Sequence, residues 1–439
     1  MEWDDAALAR ELESLAPGSD DVADVFSERL TEISIAWRDG SPGDPRVCVE
    51  TGTAARRRAR GDERLAFVAG SGDAAARAAL RALRGEPSDD APPAEAPSTE
   101  RGPAEAARWM RRLPALLARH APRHRLRLRL LRTERRIASA RRPVVESARR
   151  LVSIEGIVVS ASRLGDEERP FSFHAPDGGE IADALKAALV EAAAPRDRPI
   201  PVVAGETDVV LANGSAAVLF HEILAHPLEA DAERSPLTAS ASASAGPITV
   251  TDLDVRDDPR RLDLFGGYER DDEGIAPRAV KLLLSGRVGA RISDRSSGGR
   301  TGSSGHGRRA AASEPPQPRS SNVVVAAGSA TSEELVRRLG DGLWIDEIQS
   351  GSVEPASGAF RLAFHRARRV RRGRFTDEIG PGFLHGEMLA ALRRIEPVLG
   401  REAHVCRTLG WCARDGLVLP VQGEAPDVLV RGLSVRPAR

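Results

Sequence analysis

Residues 216–227 read AAVLFHEILAHP, an apolar run that leads directly into two imidazoles and a carboxylate. The apolar part predicts a short buried helix, and the polar part places a metal site at its end. A zinc ion that activates water keeps about three protein ligands and one open position, while a nearby carboxylate takes the proton. His221 and His226 are therefore candidate ligands, and Glu222 is the candidate general base.

The interval of five residues between the two histidines is unusual for a metal-binding helix. The common zinc-protease motif has an interval of four, which puts both rings on one helical face. An interval of five would turn the second ring away by roughly 140° on a regular helix. Pro227 predicts that the helix ends at His226, and a π-bulge is the other distortion that would return the ring. For this pattern alone, ordinary helix-end histidines with satisfied hydrogen bonds remain an alternative.

A third ligand is predicted in residues 410–423, which read GWCARDGLVLPVQG and place Cys412 beside turn residues. With this cysteine, the chain resembles the TldD/PmbA family of metallopeptidases, and specifically its TldD-like catalytic branch. That branch pairs HExxxH with a late cysteine in a G-x-C-x-x-D-G context. Other similar segments occur in the family's order along the chain, at 207–211, 221–231, 271–274, 305–309, 318–322 and 351–358.

The resemblance implies a zinc-dependent peptidase. It assigns the metal to His221, His226 and Cys412, and it makes Glu222 the general base on the water that the metal activates. It also implies unfolded peptides or small labile proteins as substrates, with maturation of a modified peptide as one role. The implied assembly is a homodimer or a heterodimer with a PmbA-like subunit. Peptide selectivity is expected to differ, because residues 310–312 are alanines where relatives carry a mostly aromatic stretch.

Three further polar residues are candidates for roles around the metal. Glu229 and Asp231 match acidic positions of the family, and each would accept a ring N–H or order the loop after the helix. Ordinary loop capping is an equally good interpretation of both. His306 follows a glycine in a turn, where it would face the substrate and stabilise an oxyanion, or would lie in solvent.

Two other classes of function stay open. One is a non-catalytic partner subunit that keeps a structural zinc ion and tolerates replacement of Glu222. The other is a nucleic-acid- or topoisomerase-associated regulator that uses the basic segment 108–150, in which arginine and leucine alternate over 125–130. A charged face of a sheet is the preferred interpretation of that alternation, because no aromatic residues are interleaved for base stacking.

Composition places the chain among globular proteins of two or three domains. Its 439 residues are 41% hydrophobic, and 64 basic residues balance 64 acidic ones, so no global charge attracts nucleic acid or an anionic membrane. Three cysteines, one of them a candidate thiolate ligand, favour a reducing compartment. The acidic start and the lack of an apolar run near ~18 residues predict a cytoplasmic protein without a membrane span.

The predicted fold class is α+β, with an N-terminal α/β unit followed by a β-rich catalytic domain that carries the metal-binding helix. Segment 1–85 is predicted as the N-terminal α/β domain, with helices at 6–15 and 74–83, and 86–107 as a linker rich in Pro, Ala and acidic residues. Segment 108–202 is predicted as a central α/β domain with a helix at 179–194, and 203–439 as the metallopeptidase domain. Strands are predicted there at 207–211, 247–251, 279–284, 322–327, 359–364, 418–421 and 428–435. The Gly/Ser-rich stretch 296–318 is expected to be disordered until a substrate or partner packs on it.

Overall fold

The computed structural model describes residues 4–59, 62–86, 104–162, 165–177, 181–194, 199–232, 235–243, 246–249 and 253–438. The first half contains groups of helices and groups of strands, and strands dominate the second half, so the α+β class is confirmed. No helix among these residues is long and apolar enough to cross a membrane.

The first half of the chain builds one antiparallel sheet flanked by helices. Its elements, in chain order, are α1 (Asp5–Leu15), β1 (Val22–Arg38), β2 (Ser41–Pro42), β3 (Arg46–Ala59), β4 (Asp62–Ala69), α2 (Asp73–Arg84), α3 (Ala104–His120), β5 (His124–Ser139), β6 (Val145–Ser162), β7 (Gly165–Pro176) and α4 (Ile181–Ala193). The strand order is β4-β3-β1-β5-β6-β7, with β2 paired to β1. Helices α1 and α2 cover one core of this sheet, and α3 and α4 cover another.

The predicted division of this half into two domains differs from the observed pairing. Strand β1 pairs with β5 from Asp24 to Arg38, so segments 1–85 and 108–202 share one sheet. The pairing covers an edge of β1 that would otherwise expose unpaired backbone groups. Within the predicted linker, residues 87–103 lie outside the described part of the chain, and α3 begins at Ala104.

The second half forms an eleven-stranded sheet, part of which closes on itself. Its elements are β8 (Gly205–Leu211), α5 (Ala216–Phe220), α6 (Pro236–Ala243), β9 (Val255–Asp257), β10 (Val280–Leu284), β11 (Arg287–Val288), β12 (Gly307–Arg308), β13 (Gln317–Pro318), β14 (Asn322–Val325), α7 (Ser332–Leu339), β15 (Gly342–Val353), β16 (Ala359–Arg371), β17 (Arg374–Ile379), β18 (Gly382–Glu387), α8 (Met388–Arg393), β19 (Ile395–Val405), β20 (Trp411–Arg414), β21 (Leu417–Pro420) and β22 (Gln422–Pro437). Strands β8, β15, β16, β18 and β22 form a closed ring, because β22 pairs with both β18 and β8. Helix α5 belongs to the apolar core of this half, and all its residues are buried.

Most predicted strands are present, and one is not. The strands predicted at 207–211, 279–284, 322–327, 359–364, 418–421 and 428–435 correspond to β8, β10, β14, β16, β21 and β22. The strand predicted at 247–251 is absent over 247–249, and residues 250 and 251 lie outside the described part. The alternation at 125–130 lies in β5, where the leucines are buried and Arg125 and Arg129 pair with Glu168 and Glu32. Two of the three arginines on this face are therefore paired with carboxylates of the same sheet.

A buried ion network joins the two halves. We call it the interdomain ion network, and its members are Asp24, Arg56, Arg135, Asp272, Glu273, Arg308 and Arg309. Arg56 donates to Asp24 at 3.0 Å and to Glu273 at 2.6 Å, so one guanidinium binds a carboxylate from each half. Arg135 reaches across in the same way, to Asp272 at 2.7 Å.

The expectation that residues 296–318 stay disordered without a partner is wrong. Strands β12 and β13 pair within this stretch, and Arg308 and Arg309 are anchored in the interdomain ion network. Gly307 also serves packing, because a Cβ there would lie 2.6 Å from a carboxylate oxygen of Glu273. Composition alone did not reveal these charged partners, which are distant in sequence.

Candidate metal centre

The buried helix α5 changes its winding at the first histidine. A π-helical turn over His221–Ala225 follows directly, and the N–H of His226 donates to the carbonyl of His221. A 3-10 turn that contains Pro227 then ends the helix. The two ring centroids lie 4.5 Å apart as a result. Both distortions that the sequence suggested are therefore present, and together they accommodate the interval of five.

Cys412 reaches the histidines from a hairpin far along the chain. It lies on β20, which pairs with β21 through a tight turn where Asp415 and Gly416 have positive φ, the conformation that such turns require. Its Sγ lies 3.3 Å from Nε2 of His226. One ligand atom each of His221, His226 and Cys412 lie within 4.8 Å of one another. The structure thus brings together the three predicted ligands.

The hydrogen-bond state of His221 fits a metal ion at this position. Neither ring nitrogen has a hydrogen-bond partner among the described residues, although the residue is 1% exposed. Buried polar groups without a partner are rare, because they forgo the hydrogen bonds that water would give. Two imidazoles and a thiolate are donors that borderline-soft divalent metals prefer. The side chains present can therefore hold such an ion.

The electrostatics favour the ligand form of the cysteine. Burial opposes ionisation, but the charges of His221 and His226 and the hydrogen bond with His226 lower the pKa of the Cys412 thiol to about 6. For His226, burial is outweighed by Glu229 and Cys412, which raise the pKa of its imidazole. The thiolate is the form of cysteine that binds metals.

Glu229 contacts the second histidine from the side away from the cysteine. Its Oε2 lies 3.4 Å from Nδ1 of His226, and Oε1 accepts from the backbone N–H of Ser320 at 2.9 Å. Burial would raise the pKa of Glu229, but His226 and nearby arginines hold it at about 2. Arg414 also donates to this carboxylate. An ionised Glu229 can accept the Nδ1–H of His226 and leave Nε2 facing the metal position, a common arrangement around metal ligands.

Asp231 has a different environment from Glu229. It lies on the wall of the same cleft, accepts from Arg319 at 2.6 Å and lies 3.7 Å from Arg414. The contacts of the carboxylate are with these arginines, so Asp231 holds the loop after the helix to β20, which ends at Arg414, and to Arg319, which follows β13. Of the two interpretations weighed for this residue, its contacts match the ordering of the loop.

Glu222 lies next to the ligand cluster at the wall of the cleft and is 6% exposed. Gly351 of β15 lies against it. A Cβ on this glycine would stand 2.7 Å from both Cγ and Oε1 of Glu222. The absence of a side chain at Gly351 therefore leaves room for the Glu222 carboxylate.

The cleft in front of the cluster has a volume of about 630 Å³. One wall carries the two histidines and Glu222, a second is residues 349–355, and a third is the hairpin residues 411–415. Beyond Ile345, β15 pairs with β16 on one side, whereas its pairing with β8 on the other side covers only Leu343–Ile345. Within the described residues, the edge of β15 over Gln349–Val353 therefore has no strand partner and faces the cleft.

His306 lies away from the cleft. It is fully buried, with Nε2 3.1 Å from Asp257 and Nδ1 2.9 Å from the hydroxyl of Ser304. Both of its predicted positions, facing a substrate or in solvent, are therefore wrong. The glycine-rich segment is closed around the ring by Asp257, which is distant in sequence and also binds Ser320 and Ser321.

Sequence reasoning missed several residues that shape the site. Arg414 and Arg319 link the acidic loop to the hairpin, and Gly351 makes room for Glu222. All three stand in segments that were noted for their resemblance. Neither the charge of the two arginines nor the missing side chain of the glycine indicates which residues they contact.

Comparison with known proteins gives results that agree with one another. The PmbA/TldA metallopeptidase C-terminal domain matches residues 204–437. A metalloprotease TldD homolog of Buchnera aphidicola is 26% identical over 233 residues, which are 53% of this chain and 48% of that protein. A metalloprotease of Archaeoglobus fulgidus is 26% identical over 227 residues, 52% of each chain. The chain thus spans about half the length of the curated relatives it matches.

Solved structures share the fold over nearly the whole chain. A putative modulator of a DNA gyrase from Thermotoga maritima has a TM-score of 0.72 at 14% identity, covering 98% of this chain and 100% of that one. TldE from Thermococcus kodakarensis has a TM-score of 0.71 at 14% identity, covering 98% and 99%. At such low identity these likenesses establish the architecture alone.

Proposed function

The chain belongs to the PmbA/TldD family of metallopeptidases, whose C-terminal domain accounts for more than half of it, and from that premise we propose that it is a zinc-dependent peptidase. The observation that carries the proposal is the convergence of His221, His226 and Cys412 beside Glu222 in an open cleft. Three protein ligands and an open position are typical of catalytic zinc sites, whereas structural sites have four.

We propose that Glu222 is the general base. When bound, zinc would supply Lewis-acid polarisation of the scissile carbonyl and of water. In this proposal Glu222 takes the proton of the attacking water and later gives it to the leaving amine. Gly351 keeps the room that this carboxylate needs.

We propose that an extended peptide binds along the free edge of β15 at Gln349–Val353. Backbone groups at such an edge can add a strand, which gives affinity with little demand on sequence. This mode suits the unfolded peptides and small labile proteins that the family resemblance implies, and peptide maturation is a compatible role. We further propose that the chain works as a homodimer or with a PmbA-like subunit, and in the cytoplasm.

The test combines metal analysis with cleavage of an unstructured fluorogenic peptide. Wild type should bind about one zinc per chain, and His226→Ala and Cys412→Ser should lose both zinc and cleavage. Glu222→Gln should keep its zinc and lose roughly 10²- to 10⁴-fold in kcat, the usual contribution of a general base. The matched control is Glu168→Gln, an exposed residue of the first sheet, which should keep both.

Two results would overturn the proposal. Normal cleavage by Glu222→Gln would remove its assigned role. Stoichiometric zinc with no cleavage, in the presence of a PmbA-like subunit as well as alone, would instead indicate a non-catalytic partner subunit.

A further inference from the structure

We infer that His174, on β7 of the N-terminal sheet, is a positioning residue for the thiolate ligand Cys412. It would hold the hairpin β20–β21 at the distance from the histidines that a shared metal needs. The inference rests on the proposed function, and it adds that a residue from the first half of the chain positions one of the metal ligands.

The first observation is the contact between His174 and Gly410, two residues before the cysteine. A Cβ on Gly410 would lie 2.2 to 2.4 Å from three ring atoms of His174. Gly410 is not among the residues with positive φ, so its backbone conformation does not call for glycine. The space taken by the His174 ring is therefore what excludes a side chain there.

The second observation is that the His174 ring is held in place. Its side chain is 2% exposed and lies 5.2 Å from the ring of Phe265 and 6.5 Å from that of Trp411, measured between centroids. Trp411 also contacts Phe265 at 5.1 Å, and the guanidinium of Arg129 lies 5.0 Å over its ring. The residue next to Cys412 is thus enclosed by side chains from both halves of the chain.

The third observation ties the backbone of His174 to the end of the hairpin. The side-chain amide of Gln422 donates to the His174 carbonyl at 3.1 Å, and its oxygen accepts from the N–H of Phe265 at 2.8 Å. Gln422 begins β22 directly after the hairpin, and the N–H of Val421 donates to the carbonyl of Gly410 at 2.9 Å. Both ends of the hairpin are therefore fixed against the same strand, β7.

The test adds one methyl group at Gly410, where the His174 ring leaves no space for it. Gly410→Ala should push the hairpin away from His174, whereas the double variant Gly410→Ala with His174→Ala has room for the methyl group. Two readouts apply: zinc affinity by chelator competition, and the thiolate-to-cobalt charge-transfer band of the cobalt-substituted protein. Gly410→Ala should weaken zinc binding by roughly 10- to 100-fold and reduce the band, as losses around metal ligands do. The double variant should regain part of both, up to the level of His174→Ala alone.

The matched control is Gly386→Ala on β18. Its Cβ would meet the Phe360 ring at 2.6 Å, a similar clash with a buried ring elsewhere in the same half. It should destabilise the fold but leave zinc affinity and the charge-transfer band unchanged. If Gly410→Ala does not fold, His174→Ala alone is the test, because it removes atoms without adding a clash and should still reduce the band.

The outcomes separate this inference from the proposed function. If the cobalt band of Cys412→Ser equals that of the wild type, Cys412 is not a ligand, and the proposed metal site fails with it. With that ligand established, wild-type zinc affinity in Gly410→Ala, or no recovery in the double variant, would overturn the role of His174. A loss of affinity in Gly386→Ala equal to that in Gly410→Ala would do the same.

Discussion

The metal centre and the interdomain ion network are both buried and polar, and each includes segments that resemble one family. They differ in how their charges are satisfied. In the network, Arg56 binds three carboxylates and Arg135 binds two. Every charged member has a partner of opposite charge within the protein, although one nitrogen each of Arg308 and Arg309 lacks a hydrogen-bond partner among the described residues. In the metal centre, both ring nitrogens of His221 lack a partner among the described residues, and the thiol of Cys412 is held near its ionised form.

This difference distinguishes two roles for segments that resemble the family, one in stabilising the fold and one in binding a ligand. Segment 271–274 also resembles the family, yet Asp272 and Glu273, two of its three acidic residues, bind arginines of the other half of the chain. Residues that find all their partners inside the protein stabilise the fold. Residues left with unsatisfied donors or acceptors beside a cleft indicate a ligand.

The largest expected effect tests the network as a purely structural element. Arg56→Met leaves the Asp24 and Glu273 carboxylates buried without their shared guanidinium, and this should lower the free energy of unfolding by about 3–5 kcal/mol. Zinc per folded chain should not change. Denaturant unfolding and metal analysis give the two values.

The control for this prediction is an exposed pair on the same sheet. Arg64 and Asp62 are each 63% exposed, so Arg64→Met should cost less than about 1 kcal/mol. If Arg56→Met lost its zinc while still folded, the two regions would be one functional unit and the comparison would fail.

A smaller effect is expected inside the metal centre itself. In Gly351→Ala, the methyl group would displace the Glu222 carboxylate but not the three ligands. A shift of about 1 Å in a reacting group can cost roughly 10²-fold in rate, so kcat should fall about that much with zinc retained. Steady-state kinetics and metal analysis of the same preparation would show the split.

Gly342→Ala on the same strand is the matched control. Its Cβ would meet the carbonyl oxygen of Asp208 at 2.4 Å, far along β15 from the cleft. This variant should lose stability while the folded fraction keeps its kcat. An equal loss of kcat in both variants would contradict a specific role for the space beside Glu222.

The smallest effect concerns His174, which is buried but belongs neither to the proposed metal ligands nor to the interdomain ion network. Burial, with a contribution from Arg129, lowers the pKa of His174 to about 4 from 6.5. The unfolded chain therefore binds more protons between these pH values, and stability falls as the pH falls. From pH 6.5 to pH 5 the expected loss is about 1.5 kcal/mol. In His174→Phe this part of the pH dependence should be absent, and an unchanged slope would contradict the burial of a neutral ring.

Local patterns predicted much of the fold. Helices α1 and α2 and most strands follow from the spacing of apolar residues, and Pro227 marks the end of the helix that carries the histidines. The chemistry of HExxxH with a cysteine also predicted the ligand cluster, because few residue types can hold a metal.

What could not be predicted depends on contacts between distant segments. The shared sheet of the first half requires β1 to pair with β5, about a hundred residues later, and no local pattern encodes that register. The position of His306 depends on Asp257, and the order of residues 296–318 depends on carboxylates from both halves. The free edge of β15 is likewise a property of the assembled sheet.

The two segments that carry the proposed metal ligands lie far apart in the chain, since 186 positions separate His226 from Cys412. During synthesis the histidines leave the ribosome long before the cysteine, and β22, which joins β8, β14, β18 and β19, comes later still. A complete ligand set therefore exists only when nearly all of the sheet can form. Closing so long a loop costs little more than closing a shorter one, because the entropy grows only logarithmically with length. We expect the metal to bind late, after the chain has folded, and to stabilise the fold that is already present.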